Sequence, residues 1–354
     1  MARIVQLLAH SIEEFDQLRL LTGIGHEVFS PGAYEDPARP GSDLRPPLDV
    51  PPYPDLSRAC WGVRHEHRDD GTRIDGREIV DWAKYQLPDE VLEWADVLIY
   101  HHFEHTWLAP QWPRLRDWMR GSPTRRVVWR TVGQSVEGNE RMMAPLRAEG
   151  LQIVRYSPKE RNIPGYAGED ALIRFYKDPA EFGPWIGDIP AVINVTQNLR
   201  ERDPYTNYGF WQEATRGLPA IAMGPGSETH GGTGSLTYPE MLSMLRRARA
   251  YLYLGTQPAS YTLGLIEAMM SGIPVVSIGP AHMSVFPYGP LLFEGHEIAG
   301  EGHDDPQNAF AELLVYLQDA ACARAASVSV RARAIELFGM DKIASEWRSF
   351  LGAA

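Results

Sequence analysis

A chain of 354 residues is long for one ordinary core, so two domains of ordinary size are expected. With 44% hydrophobic and 23% charged residues it has globular composition, and no apolar run approaches a membrane span. A net charge of −12 argues against broad binding to a phosphate backbone, while leaving room for a local basic groove. The N-terminal MARIVQLLAHSIEEF has too short an apolar core for a signal peptide, and Cys60 and Cys322 lie far apart without metal spacing. Together these predict a cytoplasmic protein.

In chain order, Arg3 to Ala9 reads as an apolar strand, and Ser11-Ile12-Glu13-Glu14 has the spacing of a capping box. Phe15, Leu18 and Leu21 then share a helical face, and His26 to Phe29 is a second short strand. This is a Rossmann-like opening without Gly-x-Gly-x-x-Gly, so a dinucleotide is not expected there. Residues 31–75 are rich in Pro, Asp, Arg and His with little periodicity. They read either as a functional loop or as a surface excursion of no consequence.

A helix is expected over 78–95, with Ile79, Trp82 and Leu87 on one side and Pro88 interrupting it. Asp96 to Tyr100 is the next strand and ends in His101-His102-Phe103-Glu104-His105. The spacing is not that of the helical zinc motif and no cysteine is near, so a metal is not the favoured reading. A buried, hydrogen-bonded histidine is one alternative.

Residues 111–130 carry Arg114, Arg116, Arg120, Arg125, Arg126 and Arg130, interleaved with Trp112, Trp118 and Trp129, and Asp117 is the only acid. Arginine and tryptophan in alternation can grip phosphate and stack on bases. A solvated helix face over a tryptophan-lined core is the preferred reading. Val127 to Thr131 is strand again and leads to Gly133-Gln134-Ser135, a turn that lets backbone approach a substrate. Leu151 to Arg155 is a further strand.

In the second half, Ala191 to Val195 is a strand running into Thr196-Gln197-Asn198-Leu199-Arg200-Glu201-Arg202. Leu218 to Met223 is another, ending in Gly224-Pro225-Gly226, and a helix is expected over 238–249. Tyr251 to Leu254 has strand character and breaks at Gly255. Ser260 and Thr262 lead into a helix on which Leu263, Ile266 and Met270 share a face. Gly272 sits where a left-handed cap is wanted, and Ile273 to Ile278 reads as a buried parallel strand. The N-terminus of that helix offers unpaired N–H groups that suit a phosphate. Glu267, in its second turn among apolar neighbours, must face a cleft or find partners. Helices are expected over 307–325 and 327–351.

The stretch 251–279 resembles the nucleotide-sugar motif of GT-B glycosyltransferases of the family-4 type, relatives of glycogen and sucrose synthases. Glu267-Ala268-Met269, Gly272 and Pro274-Val275-Val276 match that motif directly, with Tyr261 and Thr262 in place of its Phe and Gly. Ala259 replaces the first Glu of the family's pair. The resemblance implies an α/β GT-B fold: two Rossmann-like doubly wound domains facing across a cleft, with a C-terminal helix crossing back. The corresponding segments are an acceptor domain at 1–185, a nucleotide-sugar domain at 186–330 and the returning helix at 331–354.

The resemblance also implies that Glu267 binds the ribose hydroxyls. It places Ser260, Tyr261, Thr262 and Leu263 along the diphosphate or donor sugar. Gln197 stands where the family has an arginine, which leaves Arg200 and Arg202 as the cations for the diphosphate. Gly224 and Gly226 form the turn near the base. The Asp96-x4-His101 spacing is similar to a family strand that ends in a cleft histidine, so His101 or His102 takes the catalytic position over a metal. His10 stands in the family's first loop, and Gly133 and Gln134 in its Thr-x-His turn, both on the acceptor side.

The reaction implied is sugar transfer from a nucleotide diphosphate sugar, UDP-sugar foremost, to a hydroxyl. It retains configuration, with no dedicated nucleophile, cofactor or bound metal. The acceptor is a glycan, a lipid-linked saccharide or a metabolite. The alternative is a hydroxymethylated base in DNA, with Arg116 and Arg120 on the groove. A non-catalytic nucleotide-sugar binder, suggested by Ala259, and a GT-B epimerase are the rival readings.

Overall fold

The computed structural model describes residues 1–7, 11–30, 53–56, 59, 68–74, 77–80, 86–101, 105–133 and 135–352. His10, His102, Gln134 and most of the Pro-rich stretch at 31–67 lie outside the described residues. Two compact units emerge: Met1–Tyr156 with Gly165–Ile173 and Ala344–Ala354, and Ser157–Pro164 with Arg174–Ile343.

The first unit begins with β1 (Arg3–Leu7), α1 (Ser11–Gly23) and β2 (Glu27–Phe29). β3 (Arg68–Ile74) and β4 (Arg77–Val80) pair as an antiparallel ribbon, followed by α2 (Asp89–Trp94) and β5 (Val97–Tyr100). Then come α3 (His105–Arg120), β6 (Arg126–Arg130), α4 (Glu137–Ala148), β7 (Gln152–Arg155) and β8 (Ala171–Leu172). The main sheet has the order β2-β1-β5-β6-β7-β8, and every pairing is parallel. Its strands are short Val, Ile and Leu runs, as burial on both faces by crossover helices requires. On α1, Phe15, Leu18 and Leu21 are all buried, as their spacing predicts. Trp112, Trp118 and Trp129 belong to the apolar core with Leu98, Val127 and Ile153.

The single helix expected over 78–95 is not formed. Val80 ends a strand, and α2 starts after Pro88, whose backbone is extended (φ −56°, ψ 149°). A fixed φ and a missing N–H suit helix entry and not its interior, so Pro88 opens a helix here and interrupts none. β3 likewise lies in the stretch that lacks periodicity.

The second unit holds β9 (Ile189–Val195), α5 (Tyr208–Ala214), β10 (Ala220–Met223), α6 (Tyr238–Arg247) and β11 (Ala248–Tyr253). α7 (Leu263–Ser271), β12 (Val275–Ile278), α8 (Gly289–Leu292), α9 (Gly295–Ala299) and β13 (Gly302–His303) follow. Its sheet is also parallel throughout, in the order β10-β9-β11-β12-β13. α7 is capped at both ends, the second by the predicted glycine. The Thr262 hydroxyl accepts from Leu265 N–H, and Gly272 adopts φ 76° at the C-terminus.

The chain closes with three helices rather than the two expected: α10 (Pro306–Gln318), α11 (Ala320–Phe338) and α12 (Met340–Gly352). Asp319 makes the first break, its carboxylate accepting from the N–H groups of Ala321 and Cys322. Gly339 makes the second. Residues 344–354 group with the first unit, where Trp347 is fully buried. Arg126 donates there to the carbonyls of Phe350 (3.2 Å) and Leu351 (2.8 Å), satisfying the end of α12.

The chain passes between the units over 156–174 and again at 343–344, whereas the sequence-based boundaries are 185 and 330. The segment after Arg174 groups early with the second unit because Lys177 N–H donates to the Phe338 carbonyl at 3.0 Å. Among the described residues no helix is long and apolar enough to cross a membrane.

Candidate active site

Parallel pairing places the carboxyl ends of β9 to β12 on one edge of the second sheet. Chain order reverses at β9, which lies between β10 and β11. Open α/β sheets bind ligands outside such a reversal. The loops that leave this edge, together with α7 that follows the β11 loop, carry the expected donor residues.

After β9, the turn at 196–202 packs against the turn after β10. Gly224 (φ 114°) and Gly226 (φ 84°) are both left-handed. A Cβ on Gly224 would lie 3.0 Å from the Thr196 carbonyl, and one on Gly226 2.5 Å from the Asn198 side chain. Only glycine permits that approach together with that backbone. Asn198 is itself left-handed (φ 51°), and its N–H donates to the Pro225 carbonyl at 2.7 Å. On this turn Gln197 and Arg200 are exposed. Arg202 is half-buried and its guanidinium donates to the Gln197 carbonyl at 3.3 Å.

After β11, the loop reaching Thr262 is fixed from several sides. Gln257 donates to the His282 carbonyl (3.1 Å) and accepts from Val285 N–H (2.9 Å). The Ser260 carbonyl accepts from the N–H groups of Glu294 (2.9 Å) and Gly295 (3.0 Å). Tyr261 is buried, its ring packed edge-on to Phe175 and tilted against Phe338, so its side chain belongs to the core. Arg174 lies over both Tyr261 and Phe338 and pairs with Glu294, which also accepts from the Ser157 hydroxyl at 2.6 Å. Burial disfavours the Arg174 cation, but Tyr261 and the Glu294 carboxylate outweigh it and raise its pKa.

The first turn of α7 stays accessible: Thr262, Leu263 and Gly264 are half-buried, whereas the helix is buried from Leu265 to Ser271. A Cβ on Gly264 would stand 3.6 Å from the Val195 carbonyl, which sets the helix start against the end of β9. Glu267 is buried, and its Oε1 lies 2.7 Å from Nζ of the equally buried Lys177. Nothing in the sequence around Lys177 marks it as the partner. Burial first, with the nearby Glu267 carboxylate adding to it, pushes the Tyr251 phenol above its ordinary range.

In the first unit His101 sits at the end of β5, with its N–H on the Leu7 carbonyl at 3.0 Å. Its ring is buried, with Nδ1 3.4 Å from Glu13 Oε1, and Arg130 Nε lies 3.7 Å from the same oxygen. Sequence reasoning singled out neither Glu13 nor Arg130 for this cluster. Gly133 is left-handed (φ 94°) and buried. Arg116 and Arg120 face acids, Glu149 at 2.7 Å and Asp117 at 3.1 Å. Among the described residues no group of three or more His, Cys, Asp or Glu side chains is placed to hold a metal ion.

No protein-family model matches the chain, and no curated protein matches it in sequence. Solved structures do match. A crystal structure of Anabaena HepE in complex with UDP-glucose covers 100% of this chain and 100% of its own, with TM-score 0.65 and 12% identity. A glycosyltransferase from Rickettsia africae covers 100% and 99%, with TM-score 0.64 and 10% identity. An alpha-glucosyltransferase in complex with UDP and a 13-mer DNA containing an HMU base covers 99% and 99%, with TM-score 0.56 and 12% identity. At these identities the likeness establishes the fold. The chain has the GT-B architecture, with Rossmann-like parallel sheets of six and five strands.

Proposed function

We propose that the chain is a glycosyltransferase that moves a sugar from a UDP-sugar to an acceptor hydroxyl. The observation that carries this reading is the buried, cation-paired Glu267 behind the accessible first turn of α7, on the carboxyl edge of the second sheet. A carboxylate can receive two ribose hydroxyls, while N–H groups at a helix start receive phosphate oxygens. Arg200 and Arg202 add positive charge on the neighbouring turn. The bond between the anomeric carbon and the diphosphate oxygen breaks, and the electron pair leaves with the diphosphate. The acceptor oxygen forms the new bond and passes its proton to the departing diphosphate oxygen. Fixed donors aimed at the departing diphosphate stabilise that charge where it develops.

The second unit is assigned the donor and the first unit the acceptor, with His101 or His102 at the reacting end of β5. The resemblance supports a retaining reaction without a divalent metal, since α7 and the arginines supply the charge a metal would. Composition and cysteine usage support a cytoplasmic site of action. A glycan or metabolite acceptor is favoured over DNA because the arginines at 114–126 are engaged within the protein.

The test is a panel of nucleotide sugars, read by thermal shift and by slow hydrolysis. One or more UDP-sugars should raise the melting temperature and release UDP. Glu267→Gln should weaken UDP binding by about 10-fold or more, the worth of a charge-assisted bond. Absence of any response across the panel, or unchanged affinity in Glu267→Gln, overturns the reading.

A further inference from the structure

Lys177 lies on an extended segment whose backbone is pinned to the end of α11. Its N–H donates to the Phe338 carbonyl at 3.0 Å, and the segment bridges to Gly339. From that anchor the side chain reaches Glu267, with Nζ 2.7 Å from Oε1 and side-chain exposures of 0% and 5%. A buried ion pair is costly to desolvate, and a pair of apolar side chains of similar volume commonly serves stability as well or better. The cation is nevertheless present, and it sits on the carboxylate assigned above to the ribose.

We propose that Lys177 is a positioning and specificity-determining residue of the donor site. It holds Glu267 in the orientation that receives both hydroxyls of a ribose, and so selects ribonucleotides over 2′-deoxyribonucleotides. The inference rests on the assignment of Glu267 to the ribose. A carboxylate offers about four acceptor positions, so the ammonium bond does not by itself exhaust them. What the ammonium removes is rotational freedom. Two parallel hydroxyl bonds need both oxygens in a fixed plane, and a carboxylate free to turn loses that advantage. A site built to bond a hydroxyl discriminates strongly against the analogue that lacks it.

Calorimetry with UDP and 2′-deoxy-UDP on the full chain tests this. The unaltered protein should prefer UDP by about 10-fold or more, the worth of one charge-assisted bond. Lys177→Met should cut that preference to within about 3-fold while the circular dichroism stays native. A folded Lys177→Met protein with full preference overturns the inference, because a merely structural lysine would leave the ratio untouched. Since the variant strands a buried carboxylate, a second measurement uses the unaltered protein. The nitrogen-15 resonance of Lys177 Nζ should shift on saturation with UDP and much less with 2′-deoxy-UDP. Equal shifts, or none, overturn it as well. Glu267→Gln separates the two levels. If it abolishes the preference while Lys177→Met does not, the ribose assignment stands and the role of Lys177 falls. If Glu267→Gln keeps the preference, both fall.

Discussion

Arg116 Nη1 lies 2.7 Å from Glu149 Oε2, and Trp112 Nε1 donates to that same oxygen at 3.1 Å. The Arg116 bond, followed by the Trp112 bond, holds the Glu149 carboxyl below its usual range. The neighbouring arginines are engaged too. Arg114 pairs with Asp89, Arg125 donates to the Trp118 carbonyl and lies over its ring, and Arg126 caps α12. The tryptophans between them are core. The 111–130 stretch thus reads as a braced helix and strand rather than as a groove for phosphates.

The consequence is measurable. Gel-shift titration with plain and hydroxymethylated duplexes, at about 50 and 200 mM salt, should show weak binding at both. Arg116→Ala and Arg120→Ala should change it by less than about 2-fold, since neither supplies a phosphate contact. Tight binding that falls steeply with salt and disappears in both variants would restore DNA as the acceptor.

Among the described residues of the first unit, Arg155 and Glu140 form the most enclosed ion pair, with both terminal guanidinium nitrogens 2.7 Å from the carboxylate and both side chains fully buried. Ala167 N–H (2.8 Å) and the Ser135 hydroxyl also donate to the carboxylate, the Gly168 carbonyl (3.0 Å) accepts from Arg155 Nε, and Trp129 and Tyr166 lie beside the cation. Arg155→Met should cost about 3–5 kcal/mol, because it leaves a buried carboxylate without its counter-charge. The urea midpoint reports this, and Arg155→Met with Glu140→Gln should recover part of the loss. A single variant within about 1 kcal/mol of the parent would show that the pair is not a stabilising unit.

The parts of the fold legible in sequence are those where local pattern and burial coincide. β5, β6, β9 and β12 each carry a short, mostly buried apolar stretch, and α7 ends at Gly272 as its pattern predicts. Pro88 misled because proline marks a helix start as readily as a break, and only the backbone on either side decides which. Asp319 likewise caps a new helix inside what reads as one long amphipathic run. The proposed donor edge is read from Glu267 and the glycines, which are local in sequence. Lys177 was not, since its partner lies 90 residues away. The same holds for Glu13, His101 and Arg130, which strand order brings together from three separate segments.

His26 gives the first unit a pH dependence. Its Nδ1 accepts from the Ala2 N–H at 3.1 Å, which requires a neutral ring on that side. Burial first, then the terminal ammonium and Arg126, lower its pKa from the ordinary 6.5. A folded value below the unfolded one means the contribution is fully present above about 6.5 and is lost as pH falls through the folded value. Thermal midpoints should therefore decline between about pH 7 and 5, and His26→Gln should flatten that slope. An unchanged slope in the variant would assign the dependence to other groups.

Arg200 and Arg202 share one turn but differ in what they touch, and this separates their expected roles. Arg200 is exposed. Arg202 is half-buried, and its guanidinium donates to the Gln197 carbonyl, while its N–H bonds to the Asn198 carbonyl at 3.0 Å. It therefore braces the turn that packs against Gly224 and Gly226. A side chain that only contributes charge to the diphosphate should affect ligands in proportion to their phosphates. Arg200→Ala should weaken UDP by about 5-fold or more and leave uridine within about 2-fold. Arg202→Ala loosens the turn itself, so it should weaken both ligands by similar factors. Competition binding with UDP, UMP and uridine against both variants distinguishes the two. Equal losses for UDP and uridine in Arg200→Ala would remove it from the diphosphate site. A UDP-selective loss in Arg202→Ala would make that residue the phosphate contact in its place.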